Sequence, residues 1–174
     1  GWRWQAPKGT AIVNVHGQRW QYLAEGFQHK LGSVPAGGSF KPFLELDYSD
    51  GTKRDFWQGF SPYAQAFESR LVCYRPSSKN CAVKGTVLAG VRSLAISIDD
   101  SVKPTAKVSG PLTETGWQRG NRQLTFNNQD TGAGLRFAET RIDGALRASS
   151  EMNCAKAMVS GQWRGKKMQP CPTS

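Results

Sequence analysis

The fold class is indicated most clearly by the stretch Phe43-Leu-Glu-Leu-Asp-Tyr-Ser-Asp-Gly-Thr-Lys-Arg-Asp-Phe-Trp-Gln58. Two runs rich in apolar and aromatic residues flank Asp50-Gly51, a dipeptide that favours the type I′ turn of a two-residue hairpin. A turn at this point predicts that Leu44 lies opposite Trp57. The stretch therefore predicts an antiparallel β-hairpin.

Segments on both sides of this hairpin also have the pattern of β-strands. Residues 9–16 are rich in β-branched side chains, and residues 18–23 alternate polar with apolar or aromatic ones. Residues 61–68 are ambiguous, because Ser61-Pro62 can start a short helix whereas the residues after them are typical of a strand. The chain has 19 glycines and 9 prolines, which favours many turns. We predict an all-β fold.

The second half of the chain has short strand-like segments and closely spaced turn signals. The polar segment 99–105, which contains a proline, separates this half from the first. We therefore predict two domains, residues 1–99 and 105–174. Strand patterns at 106–109, 123–127 and 135–143 indicate a small sandwich in the second domain.

Four cysteines form two local pairs along the chain, Cys73 with Cys81 and Cys154 with Cys171. Neither pair has the spacing of a zinc site, and the two histidines lie far from all four in sequence. We predict two local disulfides, each stabilising its domain by about 2–3 kcal/mol, and neither a metal nor another cofactor. Disulfides persist in oxidising compartments, so we expect a secreted or cell-surface protein.

The formal charge of +10 predicts attraction to polyanions. The charge is spread evenly, since residues 1–99 and residues 100–174 each carry a net +5. Nucleic-acid-binding proteins more often concentrate their basic residues in one module, so nucleic acid is not the partner we favour. No apolar run is long enough to cross a bilayer, and we expect no membrane insertion.

Several motifs together resemble those of uncharacterised extracellular proteins of actinobacteria. They are Trp-x-Ala-Pro-x-Gly-Thr-x-Ile at 4–12, Gly-Val-Arg-Ser-Leu-x-Ile-x-Ile-x-Asp at 90–100, Pro-Thr-x-x-x-Ser-Gly-Pro-Leu at 104–112, Gly-Trp-x-x-Gly at 116–120 and Asp-Thr-Gly-Ala-Gly at 130–134. In those proteins a jelly-roll-like β-sandwich is followed by bacterial immunoglobulin-like domains. The resemblance covers most of the chain and implies that fold and an extracellular location, but no activity.

The chain departs from this pattern at both ends. In the family a further stretch of sandwich precedes the first motif and more immunoglobulin-like strands follow the last cysteine. The second domain, at 70 residues, is also shorter than the ~100 residues of an immunoglobulin-like sandwich. We expect a fragment, or a chain whose open sheet edges pair with a neighbour and assemble into an oligomer or filament.

Carboxylates offer two weak signals for catalysis. Asp130-Thr-Gly-Ala133 matches the short aspartic-protease signature, but that chemistry needs two copies and the chain has one. Glu45, Asp47 and Asp55 fall on the predicted hairpin, where a glycosidase would need a pair about 5–9 Å apart. Acidic residues that pair with neighbouring basic ones are the commoner arrangement.

The two histidines, His16 and His29, are the only ones that could serve a serine or cysteine nucleophile. The chain has no Gly-x-Ser-x-Gly elbow, phosphate-binding loop or His-Glu-x-x-His motif. We interpret both histidines as ordinary residues and predict a protein that is not an enzyme.

Aromatic and basic residues alternate along the chain, a pattern suited to stacking on sugar rings or bases and to cation–π pairing. Most of the 6 tryptophans are expected in the core. Two of them lie among polar and basic residues instead. The candidate ligand-binding residues are Trp117, Arg119, Trp163, Arg164, Lys166 and Lys167.

We therefore predict a non-catalytic binding or scaffolding module that recognises anionic or carbohydrate polymers or assembles through sheet edges. The first alternative is a polysaccharide-acting enzyme on a jelly-roll scaffold. The second is a basic nucleic-acid binder, whose affinity would fall steeply with salt.

Overall fold

The protein is all-β, as the turn-rich sequence predicts. The computed structural model describes residues 1–47, 50–74, 87–167 and 169–174, with only the backbone of Asp50 and Trp163. The helical structure of the described residues is confined to one 3-10 turn at Pro111–Thr113. The chain forms two compact units: residues 1–6 with 11–99 (unit 1) and residues 7–10 with 100–174 (unit 2).

Unit 1 is built on long antiparallel strands. They are β1 (Trp2–Gln5), β2 (Thr10–Tyr22), β3 (Phe27–Pro35), β4 (Lys41–Leu46), β5 (Asp50–Cys73) and β6 (Leu88–Asp100). The strand order in the sheet is β4-β3-β5-β2-β6, and β1 pairs with β5 outside this path. In the described sheet β4, β6 and β1 each have a single neighbour and are therefore edge strands.

Strand β5 joins two parts of this sheet. Its first part, from Asp50 to Ala64, pairs with β2, whereas its second part, from Ala64 to Cys73, pairs with β3. The ambiguous residues 61–68 are thus strand, because several of them are buried between β1 and β3. The fold is sandwich-like, with β5 shared between its halves.

The predicted hairpin around Asp50-Gly51 is wrong, although both of its arms are strands. Leu44 pairs with Leu31 on β3, and Trp57 pairs with His16 on β2. Tyr48 and Ser49, at the predicted turn, lie outside the described residues. The physical reason is length: β2 has 13 residues and β4 has 6, so β5 gains more backbone hydrogen bonds by pairing with β2.

The core of unit 1 is an aromatic cluster centred on Phe67, which is fully buried. Its ring stacks on that of Trp4, with centroids 5.3 Å apart, and on those of Phe43 and Phe56, each at 6.2 Å. Phe60 contacts Phe43 at 5.9 Å. Side chains from three strands thus form one core, as aromatic packing favours.

Unit 2 is built on short hairpins. Its strands are β7 (Thr105–Ser109), β8 (Thr125–Gln129), β9 (Phe137–Ile142), β10 (Ala145–Glu151), β11 (Lys156–Val159) and β12 (Gln162–Gly165). They form three two-stranded antiparallel sheets, β7–β8, β9–β10 and β11–β12. Of the described apolar side chains in this unit, only that of Leu135 is buried. The core is therefore thin.

Two of these hairpins turn on residues with positive φ. Asp143 and Gly144 have φ of 51° and 78°, and Ser160 and Gly161 have φ of 50° and 76°. Positive φ at both central residues is the condition for a type I′ turn. The turn that the Asp-Gly pattern predicts is thus formed at Asp143-Gly144 rather than at Asp50-Gly51.

One of the two predicted disulfides is confirmed. Cys154 and Cys171 are bonded, with Cα atoms 4.2 Å apart. The other predicted pair includes Cys81, which lies outside the described residues. No described cysteine is free.

The disulfide holds the C-terminal segment against the loop at 130–135. The amide of Asp130 donates to the carbonyl of Thr173 at 2.9 Å, and that of Leu135 donates to Pro172 at 2.8 Å. Within the loop, the Asp130 carboxylate accepts a hydrogen bond from the Gly132 amide at 2.8 Å. The aspartic-protease-like motif is therefore a turn held by its own carboxylate.

Candidate functional site

An open groove on unit 1 follows the pairing of β2 with β5. His16 lies opposite Trp57 and Gln18 lies opposite Asp55. Directly opposed residues, and residues two apart on one strand, share a face of the sheet, so these four side chains lie on the same face. Phe56, between Asp55 and Trp57, points to the other face and joins the aromatic core.

Trp57 provides the exposed surface of this groove. Its side chain is 69% exposed, and its six-membered ring lies over Gly59, where a Cβ would be 3.1 Å from the Trp57 Cη2 atom. A Cβ at residue 59 would require the indole to shift by a few tenths of an ångström. Gly59 therefore lets the Trp57 ring lie close to the backbone of the sheet.

Strand β6 closes one side of the groove at Gly17 and Ser93. A Cβ at Gly17 would lie 3.2 Å from the Arg92 carbonyl oxygen, so β6 runs close to β2 at this glycine. Ser93 adopts a φ of 49°, which is uncommon for a residue with a side chain. The Arg92 Nε donates to the Gln18 Oε1 at 3.1 Å and orients that amide. The groove has a volume of about 510 Å³.

This arrangement is suited to binding a sugar. An exposed indole offers a flat apolar surface to the C–H face of a pyranose ring, while amide, imidazole, hydroxyl and carboxylate groups at the rim can bond its hydroxyls. His16, Gln18, Asp55 and Ser93 supply those groups. The only carboxylate among the lining residues is that of Asp55.

The other two carboxylates of the enzyme hypothesis lie elsewhere in the sheet. Glu45 is on β4 and forms an ion pair with Lys30 on β3, with Nζ and Oε2 2.9 Å apart. Asp47 follows β4 directly. Asp55 is on β5, which is not hydrogen-bonded to β4. The structure does not place Glu45 and Asp55 on neighbouring strands.

Of the candidate ligand residues predicted from sequence, Trp117 and Arg119 lie on one exposed loop of unit 2. Trp117 is fully exposed. Gly116 and Gly120, on either side, have φ of 113° and 75°, a conformation that glycine adopts without strain. The two glycines thus turn the chain on both sides of Trp117 and present its ring to solvent.

The remaining candidates lie on or directly after the β11–β12 hairpin. Trp163 pairs through its backbone with Met158, and its side chain is outside the described part. Arg164 is half-buried, and Lys166 and Lys167 are exposed. No hydrogen bond or ion pair described in unit 2 joins this hairpin to the Trp117 loop.

A buried polar network in unit 1 contains the second histidine. His29 is completely buried and Ser69 is 4% exposed. The His29 Nδ1 lies 3.4 Å from the Gln21 Oε1, an atom that can only accept, and this contact fits the tautomer with the proton on Nδ1. The His29 Nε2 then accepts from the Ser69 hydroxyl at 2.9 Å.

The order Ser69, His29 and Gln21 imitates that of a nucleophile, base and orienting residue, but burial argues against catalysis. Desolvation, reinforced by the charge of Arg19, lowers the pKa of His29 to about 4. A base this weak is poorly matched to proton abstraction near neutral pH. The network is a structural element of the core.

None of the groove residues is among the ligand-binding candidates from sequence, although Asp55 is one of the candidate catalytic carboxylates. Like most of the tryptophans, Trp57 is expected from sequence to lie in the core, because tryptophans commonly anchor the sheets of small sandwiches. The charged neighbours Lys53, Arg54 and Asp55 were the available signal for an exposed face, since long charged side chains are seldom buried.

No protein-family model, curated protein or solved structure matches the chain. Within the described ranges no group of three or more His, Cys, Asp or Glu side chains is placed to hold a metal ion. The described part also contains no helix of the length and apolarity needed to cross a membrane.

Proposed function

We propose that the chain is a secreted or cell-surface, non-catalytic module that binds an acidic polysaccharide through the groove of unit 1. The observation that carries this proposal is the exposed Trp57, held over Gly59 and bordered by His16, Gln18 and Asp55. An unligated indole of this exposure leaves apolar surface in water, which a sugar ring would cover.

The charge of the chain favours an acidic polymer over a neutral one. Lys53 is exposed on β5 and lies on the same face of the sheet as Asp55, and Arg92 borders the groove through its hydrogen bond to Gln18. With a net charge of +10, the protein attracts polyanions over the distance of a Debye length. Sugar carboxylate or sulfate groups would bind these side chains while the ring stacks on Trp57.

The loop of Trp117 and Arg119 is a second candidate contact, independent of the groove. Its fully exposed indole and neighbouring guanidinium offer the same pairing of stacking and charge. The basic residues Arg164, Lys166 and Lys167 would add attraction for an anionic polymer.

Binding is favoured over hydrolysis because glycosidases use two carboxylates across the scissile bond. Among the residues lining the groove there is one, Asp55, and Glu45 is ion-paired on an edge strand. Hydrolysis of the bound polymer would contradict a non-catalytic role, and Asp55→Asn would test it directly.

The finer fold and the location are part of the same proposal. We propose a jelly-roll-like sandwich for unit 1, supported by its long strands around an aromatic core, and a short immunoglobulin-like sandwich for unit 2, supported by its short antiparallel hairpins. The disulfide Cys154–Cys171 supports an oxidising, extracellular setting. An experimental structure and localisation of the protein in its source cells would test both.

The decisive experiment compares binding to acidic and neutral polysaccharides by a glycan array and calorimetry. Trp57→Ala is expected to weaken binding of the acidic polymer by about tenfold or more, as loss of a central aromatic contact does. Tyr63→Ala is the matched control, because Tyr63 is also on β5 and is 49% exposed but does not line the groove.

Equal binding by Trp57→Ala and wild type would contradict the groove as the site. Binding to any polyanion, DNA included, with a dependence on salt alone would instead favour the nucleic-acid alternative. Trp117→Ala, measured in the same series, separates the loop from the groove.

A further inference from the structure

Strand β9 of unit 2 has an edge without a partner in the described structure. It pairs only with β10, in a two-stranded sheet. The Met152 amide donates to the Arg136 carbonyl at 2.8 Å. Because alternate residues of an antiparallel strand bond to the same neighbour, the even-numbered residues of β9 bond to β10. The backbone N–H and C=O groups of Phe137, Glu139 and Arg141 therefore point away from it.

A groove of about 490 Å³ runs along this open edge. Residues from both faces of β9 line it, Phe137 and Glu139 from one face and Ala138 and Thr140 from the other. A groove lined by both faces of a strand follows the strand's edge rather than either face. It therefore leaves space beside the outward-pointing backbone groups.

Other residues that line the groove expose apolar side chains or bury a polar atom without a hydrogen bond. Val108 of β7 and Phe126 of β8 line it, and both are exposed. Asn128 also lines it, and its buried Oδ1 accepts no hydrogen bond from any described residue. A strand added to β9 would cover the apolar side chains and satisfy the open backbone groups at once.

We propose that the strand that pairs with β9 is β9 of a second copy of this chain, in a symmetric antiparallel dimer. The sequence of β9, Phe-Ala-Glu-Thr-Arg-Ile, is complementary to itself when reversed about Thr140. In that register Glu139 faces Arg141 of the partner subunit twice, and Ala138 faces Ile142 of the partner subunit twice. Opposite charges in directly opposed positions stabilise a strand pair.

The neighbouring registers are disfavoured by charge. The open backbone groups of the two strands can hydrogen-bond only when odd-numbered residues of one strand lie opposite odd-numbered residues of the other. A shift to a centre at Glu139 opposes this carboxylate to its own copy, and a shift to a centre at Arg141 opposes two guanidinium groups. Like charges directly opposed destabilise a pair, so the register centred on Thr140 is the one selected. Within one chain the Arg141 Nη2 and the Glu139 Oε2 are 3.1 Å apart. In the dimer Glu139 pairs with Arg141 of the partner subunit instead.

This assembly is independent of polysaccharide binding and goes beyond it. The first test is sedimentation velocity of the full chain over a range of concentrations, with reversals of charge on β9. Glu139→Arg and Arg141→Glu are each expected to raise the dimer dissociation constant by roughly tenfold. The double variant, which restores opposite charges across the axis, is expected to return it to within about threefold of wild type.

Lys53→Glu is the control for net charge, because it is an exposed charge reversal on unit 1. It is expected to leave dimerisation unchanged. A chain that stays monomeric at the highest concentration, or a double variant no better than the singles, would overturn the proposal.

The second test detects the register by a disulfide. In the proposed dimer Thr140 faces its own copy in a non-hydrogen-bonded pair, where Cα atoms are about 4.5 Å apart, within the range of a disulfide. Thr140→Cys is therefore expected to form a covalent dimer on mild oxidation. Ile142→Cys lies on the same face of the same strand but does not oppose itself, and should not cross-link. Equal cross-linking of both variants would exclude this register.

Discussion

Acidification should destabilise unit 1 through His29, and this is the most direct test of its buried network. His29 is completely buried, and its pKa is lowered from 6.5 to about 4, first by desolvation and then by the charge of Arg19. At a pH between these two pKa values His29 is protonated in the unfolded chain but neutral in the folded chain. Stability from this residue is thus complete above pH 6.5 and is lost as the pH falls towards 4.

The size of the effect follows from the two pKa values. A shift from 6.5 to about 4 corresponds to about 3 kcal/mol once both states are protonated, at 1.36 kcal/mol per pKa unit. Between pH 7.5 and pH 4.5 most of this, about 2–3 kcal/mol, is lost by the same linkage relation. This is a large fraction of the stability of a small domain.

The assay is urea unfolding at both pH values, followed by the amide signals of β3 in ¹H–¹⁵N NMR spectra, which report on unit 1. His29→Gln lowers stability at pH 7.5 but should lose about 2–3 kcal/mol less than wild type on acidification. His16→Gln is the matched control, since it removes the other histidine from a half-buried site, and should behave as wild type. If wild type and His29→Gln lose equal stability between the two pH values, the argument from burial is refuted.

Two further expectations concern unit 2. The double variant Cys154→Ser with Cys171→Ser opens a loop with a sequence separation of 17 and should lower the unfolding free energy by about 3 kcal/mol. Urea unfolding followed by the NMR amide signals of β9 and β10 measures this loss, and an unchanged midpoint would contradict it. Gly134→Ala should destabilise this unit more than Gly144→Ala, because both glycines have positive φ but a Cβ at Gly134 would lie 2.4 Å from the Cys171 carbonyl oxygen, whereas Gly144 faces open space. Gly144→Ala should cost about 1–2 kcal/mol from backbone strain, and equal melting temperatures for the two variants would be the contrary result.

Sequence reasoning identified the exposed loop better than the groove. Trp117 stands between two glycines and beside polar residues, a local pattern that needs no knowledge of strand partners. Trp57 and His16 are 41 positions apart in sequence, and their pairing depends on which strand β5 selects. The same applies to Ser69 and His29, which hydrogen-bond across 40 positions.

The alternation of apolar residues and the density of turns determined the all-β class, because these signals act over a few residues. The close spacing of Cys154 and Cys171 likewise predicted their bond. The two Asp-Gly dipeptides show where local information ends. Asp143-Gly144 forms the hairpin turn because no longer strand competes for β9, whereas β4 and β5 on either side of Asp50-Gly51 pair with β3 and β2. Which strands pair depends on the backbone hydrogen bonds formed and the apolar surface buried over the whole sheet. That total free energy depends on residues far apart in sequence, so only the tertiary structure decides it.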